Sequence, residues 1–183
     1  MNIANSNMEK LVNLLQSGGV CIIPTDTVYG LACSVKFPKS VAKIYRLKNR
    51  EGKPGTIIAS SVQQLLDMGF IESEVHRASE YWPGPVSVIL KAPDSLYYLH
   101  MGKKSLAVRV PEPEWLRNLL DKTGPLATSS ANLAGDPTVT TIEQAKSIFG
   151  DSVDLYVDGG DLSGKNPSKI ILLRDDGTIK KLR

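Results

Sequence analysis

The sequence predicts an α/β domain, and three observations predict it. Short β-rich runs (VCII, TIIA, VSVILK, LAVRV, PLATS, DLYV and KIILLR) alternate with stretches of helical spacing. The chain finishes in a hairpin-like unit, KIILLR-DDG-TIKKL, so the sheet is mixed and not wholly parallel. A length of 183 residues, 42% hydrophobic and 22% charged, supports one core without staples and excludes a disordered or collagen-like chain. No repeat, linker or second domain is visible, so residues 1–183 are read as a single domain.

Taken in order, Ser6 with Glu9 forms a capping box, and Met8, Leu11, Val12 and Leu15 recur at helical spacing before Gly18 and Gly19 stop the helix. Strand VCII follows. Helices are expected near residues 38–48, 61–67, 72–81, 112–122 and 140–149, the last opened by Thr140 or Thr141, with the β-rich runs between them. Cys21 and Cys33 sit in apolar surroundings without CxxC spacing, which points to packing and away from a disulfide framework or zinc knuckle. No apolar run approaches the roughly 18 residues of a membrane span, and the N-terminus lacks the order of a signal peptide. A cytoplasmic protein is expected, with no membrane partner.

Charge is unevenly placed. Between Lys36 and Lys53 seven basic residues (Lys36, Lys39, Lys43, Arg46, Lys48, Arg50 and Lys53) face one acid, Glu51, a local balance of +6 in a chain whose net charge is +3. The remainder is therefore net negative, and the asymmetry points to an anionic partner: phosphate, carboxylate or nucleic acid.

Two features imitate functional sites. GGDLSGKN, residues 159–166, nearly matches a phosphate-binding P-loop. Asn166, however, stands where the magnesium-binding hydroxyl is needed, and Pro167 with KIILL leads into a strand and not a helix, so a turn between strands is expected. His76 and His100 are too few and too isolated for a metal cage, and His76 is expected on a helix surface. No metal-ligating residues are assigned.

Polar, backbone-shaping segments stand at strand and helix ends: Pro24-Thr25-Asp26-Thr27-Val28-Tyr29-Gly30-Leu31, Lys48-Asn49-Arg50 with Lys53-Pro54, Trp82-Pro83-Gly84-Pro85, Val108-Arg109-Val110-Pro111, Thr128-Ser129-Ser130-Ala131-Asn132-Leu133-Ala134-Gly135 and Pro167-Ser168-Lys169-Ile170. Strand-end loops are where α/β folds hold ligands. In this order the segments resemble the YrdC/TsaC family, marked by P-T-D/E-T-x-Y-G-L, K-x-R, W-P-G-P, V-R-x-P, S-A-N-x-x-G and P-S-x-I. The resemblance spans residues 20–183 and implies a twisted mixed sheet flanked by helices, with a basic concave face that agrees with the charge count. Three positions depart from the pattern: Glu51 and Gly55 in the loop after K-x-R, and Lys169 where P-S-T is frequent. The end at Arg183 resembles the short bacterial form.

The resemblance implies an L-threonylcarbamoyladenylate synthase, a nucleotidyltransferase. It would join L-threonine, bicarbonate and ATP, release pyrophosphate, and supply the t6A modification at position 37 of tRNAs reading ANN codons. No protein nucleophile is required; the work is positioning anionic reactants and neutralising phosphate charge. Lys48 and Arg50 are expected as the catalytic cations, exposed to solvent, with Lys53 a weaker third. Threonine is assigned Thr27, Arg109, Ser129, Asn132 and Ser168, with Arg109 on its carboxylate or else on phosphate. ATP is assigned Lys48, Arg50, Lys53, Ser130, Asn132 and Arg183, with Mg2+ carried on phosphate oxygens and water. A downstream threonylcarbamoyl-transferase complex is expected, and tRNA or double-stranded RNA binding on the basic face is a possible accessory property. The alternatives are a non-catalytic module for structured RNA and a carbamoyl-phosphate enzyme like the YrdC-like domain of hydrogenase maturation factors, which sits in much longer chains.

Overall fold

The computed structural model describes residues 5–49, 53–174 and 176–183. Its elements are, in chain order, α1 (Asn5–Gln16), β1 (Cys21–Ile23), β2 (Gly30–Ser34), α2 (Pro38–Leu47), β3 (Thr56–Ile58), α3 (Val62–Asp67), α4 (Glu72–Ala78), β4 (Val86–Lys91), α5 (Tyr97–His100), β5 (Ser105–Arg109), α6 (Glu114–Thr123), β6 (Leu126–Ser130), α7 (Ile142–Phe149), β7 (Leu155–Tyr156), β8 (Lys169–Leu173) and β9 (Ile179–Lys181). The strands form one sheet in the order β7-β1-β2-β6-β3-β5-β4-β8-β9. It is mixed, as expected: β1 with β7, β3 with β5 and β4 with β8 run parallel, and the other neighbours antiparallel.

Alternation along each strand divides the core into two layers. Cys21, Ile23, Ala32, Ile58 and Leu126 face one side, where Leu11 and Leu15 of α1 and Leu116, Leu119 and Leu120 of α6 cover them. Ile22, Leu31, Cys33, Ile57, Val88 and Val108 face the other, packed by α2, α3, α4 and α7 through residues such as Ile44, Leu65, Val75 and Phe149. The helices carry the apolar spacing this demands. Pro38 starts α2, Ser61 caps α3 on Gln64 N–H, and Thr141, the second of the two expected candidates, caps α7 on Gln144 N–H. Helix α1 begins at Asn5, so Ser6 falls within its first turn, and the capping-box side chain lies outside the described residues.

Two elements were not expected. GLACS is not among the expected strands, since glycine, alanine and serine have weak strand preference, yet β2 pairs on both sides, with β1 and β6, and those ladders settle it. Helix α5 is a four-residue turn, too short to leave a periodic signal. Residues 159–166 connect β7 to β8 without a helix, as the P-loop comparison requires. His76 lies exposed on α4 beside Glu72, 3.4 Å away. Both cysteines are free and buried, one in each layer; burial pushes the Cys33 thiol up to about 12 and raises Cys21 further, with Cys33 and Asp154 adding to the latter. Among the described residues no helix is long and apolar enough to cross a membrane.

Candidate functional site

Helices α1 and α6 cover only part of their side of the sheet. On the remainder, Gly30, Thr56, Ala107 and Thr128 come from four neighbouring strands and share a face through the ladder registers. Their small side chains leave a cavity of about 710 Å³, extended by Ile89 and Ile170 from β4 and β8. Lys53, Lys103, Arg109 and Arg183 also line it, and no Asp or Glu is among the described lining residues, so the cavity favours an anionic ligand. Gly55 permits this geometry: a Cβ there would stand 2.6 Å from the Thr128 carbonyl oxygen. A leucine in its place would push the loop off β6.

Arg109 closes β5, and its Nη1 donates to Asp26 Oδ1 at 2.7 Å, both side chains buried at 5% and 6% exposure. The N–H of Glu112 donates to the other oxygen of Asp26 at 3.5 Å. Asp26 therefore fixes the guanidinium from one side. Arg109 Nε is buried without a hydrogen-bond partner among the described residues, on the cavity side of β5. Ser129 Oγ is buried likewise, but Ser129 stands opposite Leu31 in the β2–β6 ladder, so its side chain turns to the other layer, away from the face that carries Gly30 and Thr128. The turn between β1 and β2 folds on itself: the Thr25 hydroxyl donates to Val28 O at 2.7 Å, accepts from Thr27 N–H and lies 2.9 Å from the Thr27 hydroxyl. Across the cavity the Ser168 hydroxyl lies 3.0 Å from that of Ser87 and accepts from Arg183 Nη2 at 3.2 Å, while Arg183 Nε donates to Ser168 O.

A second cavity of about 670 Å³ adjoins the first and shares Lys53, Ser130, Pro167 and Arg183 with it. Lys48 lines it but is only 2% exposed, which corrects the expectation of a solvent-exposed cation. Its ammonium donates to Ser130 O at 2.8 Å, to Asn132 Oδ1 at 2.7 Å and to the Asn132 carbonyl, tying the end of α2 to the loop after β6. Asn132, assigned to both ligands, lines only this second cavity. Its Oδ1 also accepts from the Ser130 hydroxyl, and its Nδ2 donates to Leu133 O and Asp136 O, so the whole amide is engaged in shaping the loop.

Of the described candidates, Thr27, Lys53, Arg109, Ser129, Ser130, Ser168 and Arg183 line the first cavity, and Lys48 and Asn132 the second. Arg50 and Glu51 lie outside the described residues. The +6 run divides: Lys36, Lys39 and Arg46 are exposed along and before α2, and Lys43 pairs with Asp154 at 3.4 Å, leaving Lys48 and Lys53 at the cavities. Sequence reasoning gave no role to Asp26, Thr56, Thr128 or Lys103. Asp26 carried a signal, a carboxylate inside a turn of hydroxyls, but its partner is 83 residues away. Tyr29 is another such case. Its buried hydroxyl donates to Gly160 O and accepts from Gly159 N–H, both at 2.8 Å, anchoring the segment before β8; burial chiefly raises the phenol.

The sequence model of the Sua5/YciO/YrdC family, described as telomere recombination, matches residues 13–183. A threonylcarbamoyl-AMP synthase of Vibrio campbellii is 34% identical, covering 97% of this chain and 98% of its own. The structure of P. abyssi Sua5 complexed with L-threonine superposes with a TM-score of 0.89 at 26% identity, covering 100% of this chain and 55% of that one. E. coli YciO superposes with a TM-score of 0.85 at 28% identity, covering 100% and 90%. This chain thus spans just over half of the P. abyssi protein and nearly all of the other two.

Proposed function

Since the chain belongs to the Sua5/YciO/YrdC family, we propose that its two adjoining cavities make threonylcarbamoyl-AMP from L-threonine, bicarbonate and ATP. The observation that carries this reading is the buried Arg109, held by Asp26 in a small-residue cavity that four cations and, among the described residues, no Asp or Glu line, in a fold that holds L-threonine in a relative. In the reaction the threonine amine bonds to the carbon of bicarbonate with loss of water, giving a carbamate. A carbamate oxygen then attacks the α-phosphorus of ATP, and the bond to the β-phosphate breaks to release pyrophosphate. The threonine carboxylate lies on Arg109 and its hydroxyl is read by Thr27 and Ser168, with the Ser129 backbone completing the wall. Lys53 and Arg183, common to both cavities, face the phosphates, with Arg50 as a third cation. Lys48 and Asn132 act by holding Ser130 and the following loop in place. Among the described residues no cluster of three or more His, Cys, Asp or Glu is present, so magnesium enters on the phosphate oxygens of its nucleotide.

The remaining assignments follow from this chemistry. One continuous sheet from Cys21 to Lys181 supports a single domain over residues 1–183, and a soluble cytoplasmic enzyme fits a product destined for tRNA. Transfer of the threonylcarbamoyl group to make t6A in tRNAs reading ANN codons belongs to a separate transferase complex. Binding of tRNA or double-stranded RNA rests on the exposed Lys36, Lys39 and Arg46. As a sole function, RNA binding leaves the buried Arg109 and the cavity around it without a use. The test is pyrophosphate release from ATP by the purified protein. Release must require threonine and bicarbonate together, and release that ignores either one overturns the reading.

A further inference from the structure

His100 is wholly buried at the end of α5, and nothing in the reaction uses it. Its Nδ1 accepts two backbone N–H groups, from Gly102 at 3.2 Å and Lys104 at 3.3 Å, so that nitrogen carries no proton and the hydrogen sits on Nε2. Nε2 is buried with no hydrogen-bond partner among the described residues. A leucine would fill the same space without an orphaned donor. What the imidazole supplies and an apolar side chain cannot is the acceptor that gathers the turn between α5 and β5.

That turn is unusual in its backbone. Met101, Gly102 and Lys104 all have positive φ, at 48°, 81° and 53°, the left-handed region that L side chains seldom enter. The one residue between them with ordinary φ is Lys103, and Lys103 lines the first cavity. Arg109 stands at the other end of β5, four strand steps beyond Ser105, which is about 13 Å. Lys103 and Arg109 thus enter the cavity from opposite ends of β5, a spacing that suits a ligand longer than one amino acid, such as a nucleotide.

We infer that Lys103 binds an anionic group of the nucleotide, and that His100 is the positioning residue that holds Lys103 in the cavity through its two backbone hydrogen bonds. This deepens the synthase reading and rests on it. The hydrogen bonds from Gly102 and Lys104 add to the backbone bond from Lys103 N–H to His100 O at 2.9 Å in fixing the turn, so the Lys103 ammonium meets its ligand already placed.

The experiment compares wild type with Lys103→Met, His100→Leu, His100→Asn and the double variant H100L/K103M, measuring pyrophosphate release while ATP and threonine are varied separately. Asparagine keeps an acceptor at the place of Nδ1, and leucine does not. Lys103→Met is expected to raise KM for ATP about tenfold with KM for threonine unchanged. His100→Leu should do the same, His100→Asn should recover most of the loss, and the double variant should be no worse than the poorer single one, since both changes remove one contact. KM for ATP within twofold of wild type in Lys103→Met overturns the inference. So does a His100→Leu protein whose threonine KM rises as much as its ATP KM, because that marks a general disturbance of β5 and Arg109. If His100→Leu does not fold, His100→Gln replaces it, with its acceptor at the place of Nε2 and not Nδ1. A wild type without threonine-dependent activity fails the synthase reading alone. ATP titration of wild type and Lys103→Met by calorimetry then still decides whether Lys103 binds the nucleotide.

Discussion

A buried hydroxyl with no partner is a cost to the folded protein, and Ser129 bears one such among the described residues, in the layer behind the cavity wall. Its removal therefore separates stability from binding. Ser129→Ala deletes an unsatisfied group, so its thermal midpoint should equal or exceed that of wild type, while KM for threonine stays within twofold. A tenfold rise in KM for threonine would mean that the hydroxyl turns into the cavity and serves the ligand. In the proposed site the cavity hydroxyls of Thr27 and Ser168 would set selectivity. Valine would leave them unpaired, a loss of about 1 to 3 kcal/mol, whereas serine would forfeit only a methyl, about 1 kcal/mol. Serine should accordingly be turned over better than valine at equal concentration, and the reverse order removes the hydroxyl-reading wall. Asp26 makes the complementary case. Asp26→Asn removes the charge that fixes Arg109 but keeps the volume, and KM for threonine should rise about tenfold while KM for ATP stays within twofold. The motif around Asp26 was legible as polar residues at a strand end. Its partner was not, since pairing across 83 residues depends on how the turn folds back over β5.

At the scale of elements, legibility followed the strength of local signals. Strand β4 was read at its observed bounds, and α2, α3 and α7 within one or two residues, because apolar periodicity, a proline and hydroxyl caps all agreed. Strand β2 was not, because its order comes from two neighbours and its own residues are small for a different purpose: Gly30 forms part of the cavity floor. The junction of α2 with the loop after β6 was misread for a related reason. Spacing alone makes Lys48 a solvated helix end, but three oxygen acceptors from Ser130 and Asn132 gather on its ammonium. Replacement by methionine would remove all three bonds; Ser130 O keeps the Asn132 N–H and Asn132 Oδ1 keeps the Ser130 hydroxyl, so the Asn132 carbonyl is left unpaired among the described residues at roughly 1 to 3 kcal/mol, beside the loss of the charge-assisted bonds. Lys48→Met should therefore lower the thermal midpoint by about 5 °C or more, and Lys48→Glu, which sets a carboxylate against the same oxygens, by still more. A midpoint equal to wild type in Lys48→Glu would restore the solvent-exposed lysine that the sequence suggests.

The whole molecule is a sheet covered unequally: α2, α3, α4 and α7 pack one face short of the exposed edge strand β9, α1 and α6 cover part of the other, and the proposed site occupies the part they leave open. Six polar segments in order were enough to indicate that strand ends converge, yet which face stays open depends on where α1 and α6 dock, and both are simply amphipathic in sequence. The two thiols report on this layering, because Cys21 lies under α1 and α6 while Cys33 lies in the opposite layer. Burial raises both above the ordinary value of 9.0, Cys33 to about 12. Well below pH 9 the thiols are protonated in folded and unfolded chains alike, so they leave stability unchanged with pH. Above it the unfolded chain loses protons that the folded one keeps, and stability falls as pH rises, by about 1.4 kcal/mol per pH unit for each thiol. By pH 11 the two together remove at most about 5 kcal/mol, a large share of the roughly 5 to 15 kcal/mol that holds a domain folded. Iodoacetamide labelling should therefore leave both cysteines untouched at pH 8. As the pH is raised, Cys21 and Cys33 should become reactive in one shared transition coincident with loss of tertiary circular dichroism. Labelling of one thiol at a distinctly lower pH than the other would show that the two faces of the sheet open separately.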